Sequence, residues 1–388
     1  MKSNYEPLGK HIRLVDYRNS EEVTSTVLGI SIDKEFMPSV ANVIGTDLSR
    51  YKLISKGLFA CNPMHVGRDE RLPIALYEKD NAAIVSPAYF MFEIIDRDVL
   101  NEEYLMMWFR RPEFDRECWF MTDGSVRGGI TWDDLCRIKL PVPSYARQCE
   151  IVESYRAITN RIALKRAEND NLEATAMSLY KSWFIDYEPF DLDDEGLPVG
   201  WCKEKLNDKL STSTQSINPQ KMDCDFVWHY SIPAYDNEKL PSKDTPSSIL
   251  SNKYIVPQNA ILVSKLNPDT KRIWRSVPCF ENAICSTEFI VFSTKEPTHR
   301  AFYYLLFNTG SFIDFLVSNA TGSTNSRMRV KPASSLDFEF ICPPNEVIDS
   351  FCRKVEPLLK KIEENHLEIR KLKELIPIAV AKMMSSSR

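Results

Sequence analysis

"AIVSPAYFMF" (residues 83–92) and "AICSTEFIVF" (residues 283–292) share the pattern Ala-Ile-x-Ser-x-x-aromatic-x-x-Phe and lie 200 residues apart. Similarity at a fixed spacing bears on architecture before any local motif does. It extends well beyond these ten residues. "ISIDKEFMPS" (30–39) has a counterpart in "IPAYDNEKLPS" (232–242), and "CNP" ending at Pro63 in "LNP" ending at Pro268. "DGSVRGGI" from 123 answers "TGSTNSRM" from 321, and "LCRIKLPVP" ending at Pro143 answers "LDFEFICPP" ending at Pro344. The order is kept throughout, so the repeating unit is half the chain.

Each half opens with an α+β block. Short β-type runs (Val27–Ile32, Ala82–Ile95, Ala260–Lys265, Ala283–Phe292) alternate with helical patches such as "EEYLMMWFR" and "HRAFYYLLF". The apolar alternation around Ser86 and Ser286 reads as one core strand in each block. After the proline stops at Pro141/Pro143 and Pro343/Pro344, the pattern becomes helical and almost free of glycine. Tyr155, Ile158, Ile162, Lys165, Asn169, Leu172, Ala176, Leu179 and Trp183 advance by threes and fours. Adding 200 gives Val355, Leu358, Ile362, Asn365, Ile369, Leu372, Ile376, Ala379 and Met383. Two matched heptad seams bury each other most simply as a coiled coil, with Lys165, Asn169 and Asn365 as polar interruptions that can fix register. Pro357 and Pro377 should kink the second helix or shift its start.

With 388 residues, two domains are expected. Hydrophobic residues make up 43% and charged residues 27%, the composition of a globular chain with a sizeable core. The ten cysteines are scattered without a metal-binding spacing and read as reduced, buried side chains. The N-terminus "MKSNYEPLGK" lacks a signal-peptide core and no long apolar run is present, so a cytoplasmic location is expected, with no membrane partner. Net charge is −5, which excludes nucleic-acid binding by bulk charge alone. The acidic run "DYEPFDLDDE" (186–195) reads as a solvated connector.

Catalytic signatures are missing. There is no phosphate-cradling glycine loop, and "CPPN" at 342 has the prolines of an amino-methyltransferase tetrapeptide without the rest. The five histidines are dispersed, so neither a metal nor a catalytic set is expected. Asp236, Glu238 and Lys239 could be mistaken for nuclease groups, but the matching stretch in the first half looks like a turn.

"LYKSWFIDYEPF" closing the first helical segment, "GLPVGW" opening the second block, "LPVP" followed by "RQCEIV", and "IEENHLEIRKLKELIP" together resemble the specificity subunit of type I restriction-modification systems. The likeness spans essentially the whole chain, although "CPPNEVIDS" lacks the counterpart of Gln148. It implies two pseudo-symmetric target recognition domains separated by two long antiparallel helices. The expected division is domain 1 at 1–143, a spacer helix at 144–188, domain 2 at 189–344 with an acidic linker and lead-in at 186–200, and a second spacer helix at 345–388. It further implies a non-catalytic subunit that reads an asymmetric, bipartite site in double-stranded DNA, the helices setting the unread spacer. Two methyltransferase subunits and restriction/translocase subunits would be its partners. S-adenosylmethionine, ATP and Mg would reside on those partners, with no cofactor on this chain.

Arginine reads guanine bidentately, asparagine reads adenine, and phosphate contacts position the protein. The candidate DNA-facing residues are therefore Asn62, His65, Arg68 and Arg71 with Ser125 and Arg127 in the first block. In the second they are Lys265, Asn267, Lys271, Arg272 and Arg275, with Asn325, Arg327 and Arg329. Tyr180, Trp183, Phe184 and Tyr187 read either as core packed against the second block or as a candidate surface for docking a methyltransferase. Two other functions compete: a self-contained DNA-modifying enzyme, and a coiled-coil adaptor with no DNA role.

Overall fold

A computed structural model describes residues 5–39, 45–64, 66–122, 128–277, 280–322 and 328–385. Contacts divide the chain into one unit of residues 1–160 with 373–388 and another of residues 161–372. The division falls inside both long helices, so each block keeps the helix segments packed on it.

In the first block two four-stranded sheets stand among the described residues. One runs Ile12–Leu14, Phe90–Ile94, Phe59–Cys61, Ile74–Leu76 and is antiparallel throughout. The other runs Phe36–Pro38, Val27–Ile30, Ala83–Val85, Lys52–Ile54, with its central pair parallel. Helix Glu102–Phe109 begins where the Asn101 side chain accepts from the amides of Glu103 and Tyr104. Phe109 lies edge-on to the stacked rings of Phe59 and Phe92. Ile151, Val152 and Val380 from the long helices join this core. Gln148 is wholly buried; its amide donates to the carbonyls of Val99 and Pro143, and its oxygen accepts from Asn101. Ile348 stands at the equivalent place in the second half and is buried too, so packing there replaces the hydrogen bonds.

The second block repeats the arrangement. Leu210–Ser213, Phe289–Thr294, Ile261–Ser264 and Ile273–Arg275 form the antiparallel sheet. Ser242–Asp244, Val227–Tyr230, Ala283–Cys285, Lys253–Ile255 and Ser216–Ile217 form the mixed sheet, again with its parallel pair at the centre. Where "ISIDKEF" makes a turn in the first block, the second forms helix Ile232–Glu238, capped by Ser231. Each block is closed by a two-stranded stem: Tyr5–Pro7 with Lys139–Pro141, and Cys202–Lys205 with Glu339–Cys342.

The repeated decapeptide is not one strand. Ala83–Val85 lies in the mixed sheet and Phe90–Ile94 in the antiparallel one; Ala283–Cys285 and Phe289–Thr294 divide likewise. The serine makes the break. Tyr89 N–H donates to the Ser86 carbonyl and Ala88 N–H to its hydroxyl; Phe289 and Glu288 do the same at Ser286. Serine stands in both copies because its hydroxyl and carbonyl cap the turn that carries the chain between sheets.

The helices span Tyr145–Phe184 and Asn345–Ser385. Pro357 and Pro377 neither interrupt the second nor move its start. Both are exposed, so the face that packs keeps its side chains. Within residues 161–372 the helices run antiparallel. Arg161 pairs with Glu368 at 2.8 Å, Lys165 Nζ donates to Asn365 Oδ1 at 3.0 Å, and Phe184 packs on Phe351. Asn365 is wholly buried and also donates to Asn169 Oδ1 (2.8 Å) and Glu168 Oε2 (3.0 Å). Lys165 and Asn365 are equivalent positions of the repeat and touch each other, so a local pseudo-twofold axis passes between them. The contact of Lys165 with Glu368 (3.6 Å) is the mirror of Asn365 with Glu168.

Candidate nucleic-acid interface

The loops singled out by their cations follow equivalent strands, and in each block the two loops lie against each other. In the second block, Asn267 N–H donates to the Met328 carbonyl (2.9 Å) and Val330 N–H to the Lys265 carbonyl (3.1 Å). In the first, Ile130 N–H donates to the Pro63 carbonyl (3.1 Å) and Gly67 N–H to the Gly128 carbonyl (2.9 Å). A Cβ on Gly129 would come within 2.8 Å of the Pro63 oxygen, so this close approach requires glycine.

Lys271 is exposed; Lys265 and Asn267 are half-buried. Asn267 takes a left-handed φ of 48° at the loop junction, and its Oδ1 is buried without a hydrogen-bond partner. Arg329 forks onto Glu288 (3.0 and 3.1 Å), and Arg272 onto Asp236 (2.6 and 2.9 Å). Arg68 forks onto Asp69, and Arg71 reaches Asp33 at 3.3 Å. The pairs of Arg329, Arg68 and Arg71 are exposed and contribute about 0–1 kcal/mol, so exchanging a carboxylate for a phosphate costs little there, whereas Arg272 is largely buried. Asn62 uses its Oδ1 to accept from Met64 N–H. His65, Ser125, Arg127, Asn325 and Arg327 lie outside the described residues.

Arg275 does not join this surface. Its side chain is 5% exposed, 2.6 Å from Glu356 and 3.3 Å from Glu363, both on the second long helix. Arg300 donates to the same Glu363 and to the carbonyls of Gln258 and Ser276. Burial brings the Arg300 guanidinium down to about 10 and lifts the Glu363 carboxyl above its usual range. This buried double pair joins block to helix. Sequence reading missed its acidic half, because nothing in "VEPLLKKIEENH" distinguishes an inward glutamate from a solvated one.

Tyr180 and Phe184 are likewise interior. They belong to a cluster with Trp201, Phe302 and Phe351, against which Trp183 and Tyr187 are partly buried. Two-helix packing alone would leave them exposed; the second block covers them. Asp236 holds Arg272, Glu238 holds Arg166, and Lys239 holds Glu173. Among the described residues no histidine, cysteine or carboxylate cluster could hold a metal ion.

No family model matches the chain. The MjaIX type I restriction enzyme specificity subunit of Methanocaldococcus jannaschii is 23% identical over 317 residues, 75% of this chain and 70% of that protein. The HindI specificity subunit of Haemophilus influenzae is 20% identical over 328 residues, 66% of this chain and 70% of that protein. The chain is similar to type I specificity subunits. The crystal structure of the type I S subunit from M. genitalium shares the fold, with a TM-score of 0.57 at 12% identity, covering 98% of this chain and 95% of that one. Likeness to a specificity subunit thus extends over both blocks and both helices.

Proposed function

We propose that this chain is the non-catalytic DNA-reading subunit of a type I restriction-modification assembly, each block reading one half of an asymmetric, bipartite site. One observation carries the reading: the same two loops are stitched together in both blocks yet present different cations and amides. A duplicated scaffold with unlike loops suits two unlike half-sites. Cations on these loops supply phosphate and base-edge contacts, and the helix pair suits a ruler for the gap between half-sites. Methyltransferase subunits, two in number, and restriction/translocase subunits are the partners proposed. S-adenosylmethionine, ATP and Mg belong to them in this reading, and the assembly works in the cytoplasm. No helix among the described residues is long and apolar enough to cross a membrane.

The test is methylation sequencing of DNA from cells that co-express this chain with its methyltransferase subunit. A bipartite motif with an unread gap is expected. Unmodified DNA, with both proteins folded and associated, overturns the proposal. Lys271→Ala separates this reading from an adaptor without a DNA role. DNA affinity should fall and its salt dependence become shallower, by about one unit of slope per lost phosphate contact, whereas an adaptor predicts no change.

A further inference from the structure

Among the described residues the first block carries an exposed aromatic projection that the second lacks. Helix Pro112–Phe120 ends in Trp119, 43% exposed, and Phe120, 85% exposed; among the described residues no aromatic side chain is more exposed than Phe120. The equivalent positions, the last two of helix Gly310–Ser318, hold Val317, 42% exposed, and Ser318, so the fold does not need aromatic rings there. Core packing does not claim them either, because the helix buries its opposite side through Phe114, Asp115 and Cys118.

That buried side fixes the helix to the cationic loop. Asp115 Oδ1 accepts from Leu72 N–H at 3.0 Å, directly after Arg71, and from the buried ammonium of Lys34 at 2.7 Å. Lys34 also lies over the Phe114 ring. Arg116, well exposed and paired only loosely with Glu113 at 3.3 Å, stands one helical turn before Phe120 on the same face. Gly128, the next described residue after Thr122, accepts at its carbonyl from Gly67 N–H of the cationic loop. A solvent-facing aromatic ring, rigidly mounted beside a loop with Arg68 and Arg71 and preceded by a further arginine, combines the elements of base stacking and phosphate contact.

We propose that Phe120, with Trp119 beside it, is an apolar DNA contact of the first block, placing an aromatic face against the bases of the half-site that this block reads. The inference rests on the DNA-reading function proposed above. It makes the two blocks unequal in kind: the first uses an aromatic element together with its cations, and the second uses cations and amides alone.

The experiment uses the full chain assembled with its methyltransferase subunit and a duplex carrying the motif found by methylation sequencing. 2-Aminopurine is placed in one half-site or the other. With the unaltered chain, a fluorescence change is expected at one half-site. Phe120→Ala should abolish that change and weaken binding roughly tenfold, the scale of a lost base–aromatic stack, at unchanged salt slope. Arg116→Ala should instead lower the slope by about one. Affinity within about twofold of the unaltered chain, or an undiminished 2-aminopurine signal, overturns the proposal. So does a Phe120→Ala chain that binds the duplex normally but fails to retain the methyltransferase subunit, since the ring then serves a protein partner. Failure of the unaltered assembly to bind any duplex is a different result: it removes the DNA-reading function itself, and this contact with it. The exposure of Phe120 makes misfolding of the variant a poor explanation for any of these outcomes.

Discussion

Asn365→Ala should strike at the place where the two long helices meet on their pseudo-twofold axis. Asn365 is wholly buried; it accepts from Lys165 and donates to Asn169 and Glu168. Removing it deletes a bond to a charged donor, worth about 1.5–3 kcal/mol, and strands the buried Asn169 oxygen, which costs about 1–3 kcal/mol. Glu168 reaches solvent and can rehydrate, and Lys165 keeps Glu168 at 2.8 Å. The net loss is therefore about 3 kcal/mol rather than the sum of every deleted contact. A cooperative unit the size of residues 161–372 loses about 2–4 °C of Tm per kcal/mol, so a fall of about 6–12 °C is expected. Thermal unfolding followed by helical circular dichroism measures it. The companion variant Lys165→Leu/Asn169→Leu/Asn365→Leu has an apolar seam and should be at least as stable, because buried polar groups seldom improve on well-packed hydrophobic ones. It should also lose the register device and show mixed association states in native mass spectrometry. A fall of less than about 2 °C for Asn365→Ala, or a single state for the all-leucine seam, refutes the assignment of this cluster as a register lock.

Other substitutions separate folding roles from binding ones. Arg275→Ala leaves Glu363 with less compensation in a buried site and should cost about 3 kcal/mol in urea unfolding, consistent with breaking a buried pair. Lys271→Ala on the same hairpin should leave stability unchanged. Phe184→Ala should cost about 3–5 kcal/mol by cavity formation, lowering soluble yield rather than weakening the attachment of a partner to folded chain. His366 is pushed down to about 4, first by burial and then by Lys239, while Glu238 and Glu173 act the other way. Its folded value lies below its unfolded one, so this stability is present above about pH 6.5 and is lost as pH falls towards 4. His366→Gln should therefore flatten the decline in Tm across that interval.

The helices were the most legible part of the sequence, because a heptad constrains many positions at once. Ile162, Lys165, Asn169 and Ala176 are buried as their spacing predicts, and so are Val355, Asn365 and Ile369. The strands were less legible. Alternation around Ser86 is equally compatible with one strand and with two strands joined by a turn, and only the partner strands decide. Arg275 carried a usable signal that its charge concealed. It lies two residues from Ile273 on a strand, hence on the same face, and Ile273 packs with the helix side chains. Tyr180 and Phe184 could not be placed from the helix pattern, since what covers them comes from Trp201, Phe302 and Phe351, distant in sequence. The pairing of the cationic loops left no local mark except Gly129, whose missing side chain admits the Pro63 carbonyl.

The two-stranded stems bear on inheritance. Tyr5–Pro7 lies hydrogen-bonded beside Lys139–Pro141, and Cys202–Lys205 beside Glu339–Cys342, so the chain leaves each block next to where it entered. Everything between Pro7 and Lys139 is thus an insert whose two ends are fixed neighbours, whatever its length. Recombination that joins a foreign insert at such a stem has one short ladder to satisfy and leaves the heptads downstream untouched. Gene conversion can therefore trade one block like a cassette while the helices continue in their old register.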